Sequence, residues 1–528
     1  MRLKKYWVPV LMMILMACQS GEIRDDGPDE EPVLIDPNYY QEKYRPQVHF
    51  SPEANWMNDP NGMFYYQGEY HLFYQYYPDS TVWGPMHWGH AVSEDLINWE
   101  HLPIALYPDS LGYIFSGSAV VDKTNSSGFG TEENPPIVAI FTYHSVEKQK
   151  AGRRDVESQG LAYSIDKGRT WTKYEGNPVL LDPTQRDFRD PKVIWHSESH
   201  SWIMTLAVKD HVAFYYSKDL KTWDFLSEFG QEIEFDGGVW ECPDLFPLQV
   251  EKTGEQKWVL LVSFNSIPGK GSGTLYFVGD FDGTNFKLDN DKQRVFWLDH
   301  GRDNYAGVTF SDIHPNDGRR ILMGWMSNWE YAQQVPTHPW RSAMTLPREL
   351  SLYRHKLGYM IKSYPVAETQ MLRRRATEIN RTLINVETDW SEYLRAKHLL
   401  LDLELIITKV VQSNDWSLEL SNEAGERFEF GYDSGGDQYF VDRSESTDSS
   451  FSEHFASYET AERLMILPSQ QVKIILDNNA LEFYGDMGQV VFTEQFYPKE
   501  KYSQLKFKAP EEVLVEGVIY RLSSVWQE

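Results

Sequence analysis

From Tyr44 to about Tyr364 the chain alternates short apolar stretches with clusters of turn-forming residues. MFYYQGEYHLFYQYY (63–77), PIVAIFTYH (136–144), WIMTLAVKDHVAFYYS (202–217) and KWVLLVSFN (257–265) are rich in aromatic and β-branched side chains, which suit a pleated, half-buried surface. Gly, Asp, Asn and Pro separate them, and long helical periodicity is missing. A weak repeat runs through the region. SEDLINW (93–99), SIDKGRTW (164–171) and SKDLKTW (217–223) share Ser-x-Asp followed by Trp, and DFDGTNF (280–286) reads as a degraded fourth copy. The copies recur every 50–70 residues or so, as expected for a hairpin within each four-stranded propeller blade. Residues 44–364 hold about five such units, which predicts a five-bladed β-propeller; the alternative is an array of β-sandwiches.

Beyond Pro365 the pattern changes. A charged connector, partly helical, is expected over 365–380. From 381 to 528 apolar and polar residues alternate again, as in RFEFGYD (427–433) and QVKIILDNNALEFYG (471–485), which predicts a β-sandwich with one buried face per sheet.

The first residues follow a different logic. Arg2, Lys4 and Lys5 precede a short apolar run, too short to span a bilayer comfortably, that ends in Leu-Met-Ala-Cys at 15–18. This ending resembles a bacterial lipobox, which implies a signal peptide over 1–17 and lipidation of Cys18. Residues 18–43 are largely polar, acidic and proline-containing, the composition of a tether. The expected location is therefore the cell envelope, at the outer surface or in the periplasm, with membrane contact only through the lipid.

Net charge is −28, and no basic stripe is present to neutralise phosphates, so nucleic acid is excluded and a neutral substrate favoured. Aromatics make up 14% of the chain; besides favouring strands, they match the C–H faces of sugars. Two cysteines are too few for a disulfide framework or a Cys-rich zinc site. His87 and His90 would point to opposite faces of a strand, so no metal site is expected there.

Three acidic motifs concentrate the chemistry. They are Asp59 in WMNDPNG (56–62), Asp190 in RDFRDPK (186–192) and Glu241 in WECPD (240–244). Each taken singly is turn vocabulary. Together, in separate blades, they are placed to converge on the axial funnel of a propeller. Retaining glycoside hydrolysis needs a carboxylate nucleophile and a carboxylic acid about 5–5.5 Å apart. A third carboxylate can hold hydroxyls and stabilise an oxocarbenium-like transition state.

With FSGS (115–118), WGPMHWGHAVSEDLINWEHLPIAL (83–106), ILMGWMSNW (321–329) and WRSAMTLPREL (340–350), these motifs resemble glycoside hydrolase family 32, which includes invertases, inulinases and levanases. The resemblance implies a five-bladed propeller followed by a β-sandwich. It also implies Asp59 as nucleophile, Glu241 as general acid/base, Asp190 as transition-state stabiliser, and no metal or organic cofactor. Trp56, Asn58, Gln75, Trp83, Phe115, Ser116, Arg189, Tyr305 and Trp325 are expected to contact the fructosyl unit, although DNYA (303–306) departs from the family pattern at its second position. The expected activity is exo-release of fructose from levan, inulin or sucrose. Endo-cleavage, fructosyl transfer and a non-catalytic glycan-binding role are the alternatives. The linkage preference is open.

Overall fold

The computed structural model describes residues 40–314, 316–410, 414–447, 449–465 and 467–526. The expected signal peptide, Cys18 and the tether up to residue 39 lie outside the described residues. Five antiparallel sheets, each based on four strands, form the first part of the chain. Their inner strands are Asn55–Tyr66, Tyr113–Val121, Phe188–His196, Trp240–Gln249 and Tyr305–Thr309, and each packs beside the next. The fifth packs on the first and closes the ring, while Trp340–Arg341 pairs in parallel with Asn55–Trp56. This is a five-bladed propeller.

The Ser-x-Asp…Trp repeat is the third-to-fourth-strand turn of blades 1 to 4. Asp95, Asp166, Asp219 and Asp282 each accept bonds from backbone N–H groups in the turn. In the first three, the following Trp donates its indole N–H to a carbonyl three residues back. The apolar core lies between blades: Val120, Ile140 and Leu161 of blade 2 meet Val193, Met204 and Leu206 of blade 3, and the next blades repeat the arrangement.

All five inner strands break register with their neighbour near the start: at Met57–Pro60, Ile114–Gly117, Arg189–Lys192, Glu241–Asp244 and Tyr305–Val308. Asp190, Cys242 and Ala306 sit there with φ of 63°, 46° and 53°, in the left-handed region. A bulge bends its strand and re-aims a side chain. Five bulges at one level turn five sets of side chains towards the axis.

The C-terminal strands form a sandwich around one apolar core. Its longest strand, Gln504–Leu522, pairs first with Trp416–Ser421 and then with Leu401–Lys409, passing Pro510 between the two pairings. The expectation of a connector at 365–380 is corrected here. A 3₁₀ turn at Ala367–Leu372 leads directly into a strand, Arg373–Asp389, paired along Gln504–Leu522. Its many charges occupy exposed positions, so backbone pairing holds a segment whose polarity resembled a linker. The expected bound of the tether at residue 43 is also corrected: Tyr40 is buried and stacks on Trp526 with ring centroids 3.7 Å apart, so residues 40–43 belong to the folded body.

Fully buried ion pairs join propeller and sandwich. Arg348 reaches Asp299 at 2.8 Å and Glu482 at 3.1 Å, and His49 Nδ1 lies 2.8 Å from Asp477. Arg443 reaches Asp303 at 2.6 Å and Glu494 at 2.8 Å. Among the described residues, no helix is long and apolar enough to cross a membrane.

Candidate active site

The bulged starts of the inner strands surround a cavity of about 380 Å³, within the size range of small-ligand pockets. Asp59, Asp190 and Glu241, from blades 1, 3 and 4, line it together. Asp59 is held on both oxygens: Asn58 donates to Oδ1 at 3.0 Å and the Ser116 hydroxyl to Oδ2 at 2.7 Å. Asn58 is itself fixed by the Trp56 indole N–H, 2.7 Å from its Oδ1. Asp190 accepts the backbone N–H of Cys242 at 2.9 Å, and its own N–H donates to Thr142 Oγ1 at 2.9 Å. These bonds anchor its left-handed backbone. The Cys242 thiol bridges the two aspartates, 3.6 Å from Asp59 Oδ2 and 3.7 Å from Asp190 Oδ2.

Glu241 accepts the Tyr305 hydroxyl on Oε2, and Arg189 at 3.3 Å and Asn265 at 3.4 Å on Oε1. Arg189 is surrounded by acid: it also pairs with Asp187 and, at 3.2 Å, with buried Glu157. Glu157 further holds His144 at 3.0 Å and the Phe188 N–H at 2.8 Å.

Burial raises the carboxyls of Asp59, Asp190 and Glu241 above the usual range. For Asp190 the Glu241 charge adds to this, and Arg189 opposes it. For Glu241, Arg189 and then the Tyr305 hydroxyl oppose the rise. Asn58 and Ser116 do the same for Asp59. Burial and the three neighbouring carboxylates push the Cys242 thiol well up, so it stays protonated. Glu157 differs: burial would raise it, but Arg189 and His144 hold it below the ordinary range. The result is a floor of three carboxyls whose ionisation is mutually opposed, flanked by one permanent cation. Such a site suits proton donation beside a developing positive charge.

Of the expected contact residues, Asn58, Gln75, Trp83, Phe115, Ser116 and Arg189 line the cavity. Trp56, Tyr305 and Trp325 do not. They are buried behind its floor, where Trp56 packs on Trp325 and Trp329, and Tyr305 lies edge-on to Trp325 and gives its hydroxyl to Glu241. The wall also includes His144, Gln149, Trp329 and Gln333, which sequence reasoning missed. His144 stacks on Phe115 at 4.3 Å, and Gln149 comes from a short helix, Val146–Lys150. In WMSNW (325–329) the second Trp, not the first, stands at the wall. Cys242 and Glu157 lie just beneath the site.

Two family models match the chain: glycosyl hydrolases family 32 N-terminal domain over residues 49–364, and glycosyl hydrolases family 32 C terminal over 368–521. The chain is 46% identical over 530 residues to a levanase of Bacillus subtilis (strain 168), covering 99% of this chain and 76% of that protein. It is 37% identical to an extracellular exo-inulinase of Aspergillus ficuum, covering 92% and 96%. The crystal structure of an exo-inulinase from Aspergillus awamori superposes with a TM-score of 0.82 at 34% identity, covering 92% of this chain and all of that one. A β-fructofuranosidase from Schwanniomyces occidentalis complexed with fructosyl-erythritol gives a TM-score of 0.80 at 32% identity, with coverage of 92% and 98%.

Proposed function

The chain belongs to glycosyl hydrolase family 32 and is a glycoside hydrolase, and from that premise we propose that it releases fructose from the non-reducing ends of β-fructans by a retaining mechanism. One observation carries the reading: three carboxyls from three blades share one cavity floor, each with its own set of donors. Asp59, with both oxygens fixed by donated bonds, is the nucleophile that attacks the anomeric carbon. Glu241 gives its proton to the glycosidic oxygen as that bond breaks. Asp190 holds fructose hydroxyls and opposes the positive charge that develops on the ring. Water then attacks the fructosyl–Asp59 ester and passes a proton to Glu241, restoring both groups. One water is consumed for each bond cleaved. The name exo-inulinase, carried by relatives that match most of the chain, favours exo-action. The relatives' names, levanase and exo-inulinase, support a fructan substrate.

The test combines products with leaving groups. Wild-type protein on levan, inulin and sucrose should yield free fructose from the first time point; a ladder of oligosaccharides overturns exo-action. Glu241→Ala should lose far more activity on a fructan than on a fructoside with an activated leaving group, because only the natural alkoxide needs a proton. Azide should rescue its second step and give fructosyl azide of unchanged configuration. Equal loss on both substrates removes Glu241 from the acid/base role, and an inverted azide removes the covalent intermediate.

The relatives also favour export, one being named extracellular. The finer reading is a lipid anchor at Cys18, after loss of Met1–Ala17. Cys18→Ser should then appear in the soluble fraction with its activity intact; wild-type protein found soluble and unlipidated refutes the anchor.

A further inference from the structure

We propose that the opposite mouth of the propeller axis is a second, non-catalytic binding site for the same neutral polysaccharide. The identity of the ligand rests on the fructan reading above; the site itself rests on separate residues. A cavity of about 630 Å³, larger than the catalytic one, opens where the inner strands of blades 2 to 5 end, at Val121, Trp195, Pro247 and Ser311. A void of about 10 Å³, walled by residues such as Pro60, Pro191 and Cys242, lies along the axis between the two, which is about the space of one water. Asp190 lines one cavity and His196, six residues further along the same strand, lines the other. The second cavity reaches inward along this strand as far as Lys192, but its mouth at Trp195 and His196 is five to six residues from Asp190, roughly 17–20 Å at about 3.3 Å per residue. A sugar held at this mouth is therefore out of reach of Asp59 and Glu241.

The lining has the chemistry of a sugar site. Trp195 is 42% exposed at the rim, although a free-standing tryptophan in water is costly, and Trp202 backs it edge-on at 5.1 Å. Trp258, half-buried, adds a second ring to the wall. Sugar hydroxyls both donate and accept, and both kinds of partner are present. Lys123, Gln256 and Arg320 donate; Glu198 and Asp312 accept. Lys123 and Asp312 stand 2.8 Å apart. The Arg320 guanidinium lies over the Phe246 ring at 5.0 Å and gives one N–H to the Phe310 carbonyl at 3.5 Å, a long bond for a group with several donors. Basic Lys123, Lys192 and Arg320 stand here beside acidic Glu198 and Asp312, and a neutral polyhydroxyl chain, which both donates and accepts, can use both kinds of group. Holding one segment of a polymer here raises the effective concentration of its ends at the catalytic mouth.

Affinity electrophoresis in native gels containing levan or inulin tests this. An Asp59→Asn background keeps the polymer intact. That protein should be retarded, and adding Trp195→Ala should weaken the apparent affinity about fivefold or more, the scale of one lost aromatic contact. Lys123→Ala, a small change at an exposed position, should weaken it less. In the active background both variants should keep kcat/KM on the smallest fructoside within about twofold while losing efficiency on the polymer. Thermal unfolding verifies that each is folded. Unchanged retardation in both variants, or no retardation of the parent, overturns the second site. Failure of the wild-type protein to release fructose from either polymer overturns the fructan reading instead.

Discussion

At the scale of single residues, Glu241 has two opposed influences acting on it. Burial raises its carboxyl, while Arg189 and the Tyr305 hydroxyl favour the charged form. Tyr305 is behind the floor, so Tyr305→Phe removes one donated bond while leaving the wall in place. A bond to a charged group is worth about 1.5–3 kcal/mol, and one pH unit corresponds to about 1.4. Deleting a donor to the ionised form raises the pKa. If Glu241 is the acid, as proposed above, the basic limb of kcat/KM, where it loses its proton, should therefore move up by about one pH unit. A pH–rate profile with an unmoved basic limb would mean that Tyr305 does not tune Glu241. The acids themselves were legible in the sequence because each combines turn residues with a flanking Trp or Arg. Glu157 was not: it stands in ESQG, an ordinary strand, and only the fold brings it to Arg189.

At the scale of elements, the bulges decide where the side chains point. Gly117 closes the bulge of blade 2, one residue after Ser116, which holds Asp59. A Cβ at Gly117 would lie 2.1 Å from the Ile140 carbonyl oxygen and 2.7 Å from Phe141 Cα, both backbone atoms that yield little. Gly117→Ala should cost about 1–3 kcal/mol, the range of overpacked sites. The urea midpoint should fall with an unchanged slope, and kcat should drop in protein that is still fully folded. A variant matching wild type in both would show that this bulge is not rigidly set. The Ser-x-Asp…Trp turns could be read in advance because their bonds are local, between side chains and backbone a few residues away. The bulges could not, since a register shift depends on the neighbouring strand. Nor could the strand Arg373–Asp389, whose charges concealed its pairing. His144, Gln149, Trp329 and Gln333 escaped for a similar reason: their place in the wall follows from how blades stand around the axis.

At the scale of the whole molecule, propeller and sandwich meet through buried charge. Burial alone would lower the His49 pKa, but Asp477 and Glu482 outweigh it and leave the imidazolium at about 9. A pKa raised on folding stabilises fully below the unfolded value of about 6.5 and is lost as pH rises through about 9. Glu482 has the opposite sign. Burial opposes its ionisation, yet Arg348 and His49 hold it at about 2, so its contribution is present above the ordinary carboxylate range and is lost as pH falls through about 2. Taken together, these two groups contribute most between about pH 5 and 7. Chemical denaturation should show wild type losing roughly 3 kcal/mol more than His49→Gln between pH 6.5 and 9.5, since a folded pKa one pH unit above the unfolded one is worth about 1.4 kcal/mol. Equal losses would exclude His49 as the source. One further feature, Tyr40 lying against Trp526, bears on how the chain is ordered. The first and last of the described residues touch, so their position in the polypeptide is a matter of numbering and not of architecture. A circular permutant that splices Trp526 to Tyr40 through a short linker, and opens instead in the exposed turn at 131–133, would retain every sheet and both mouths of the propeller axis.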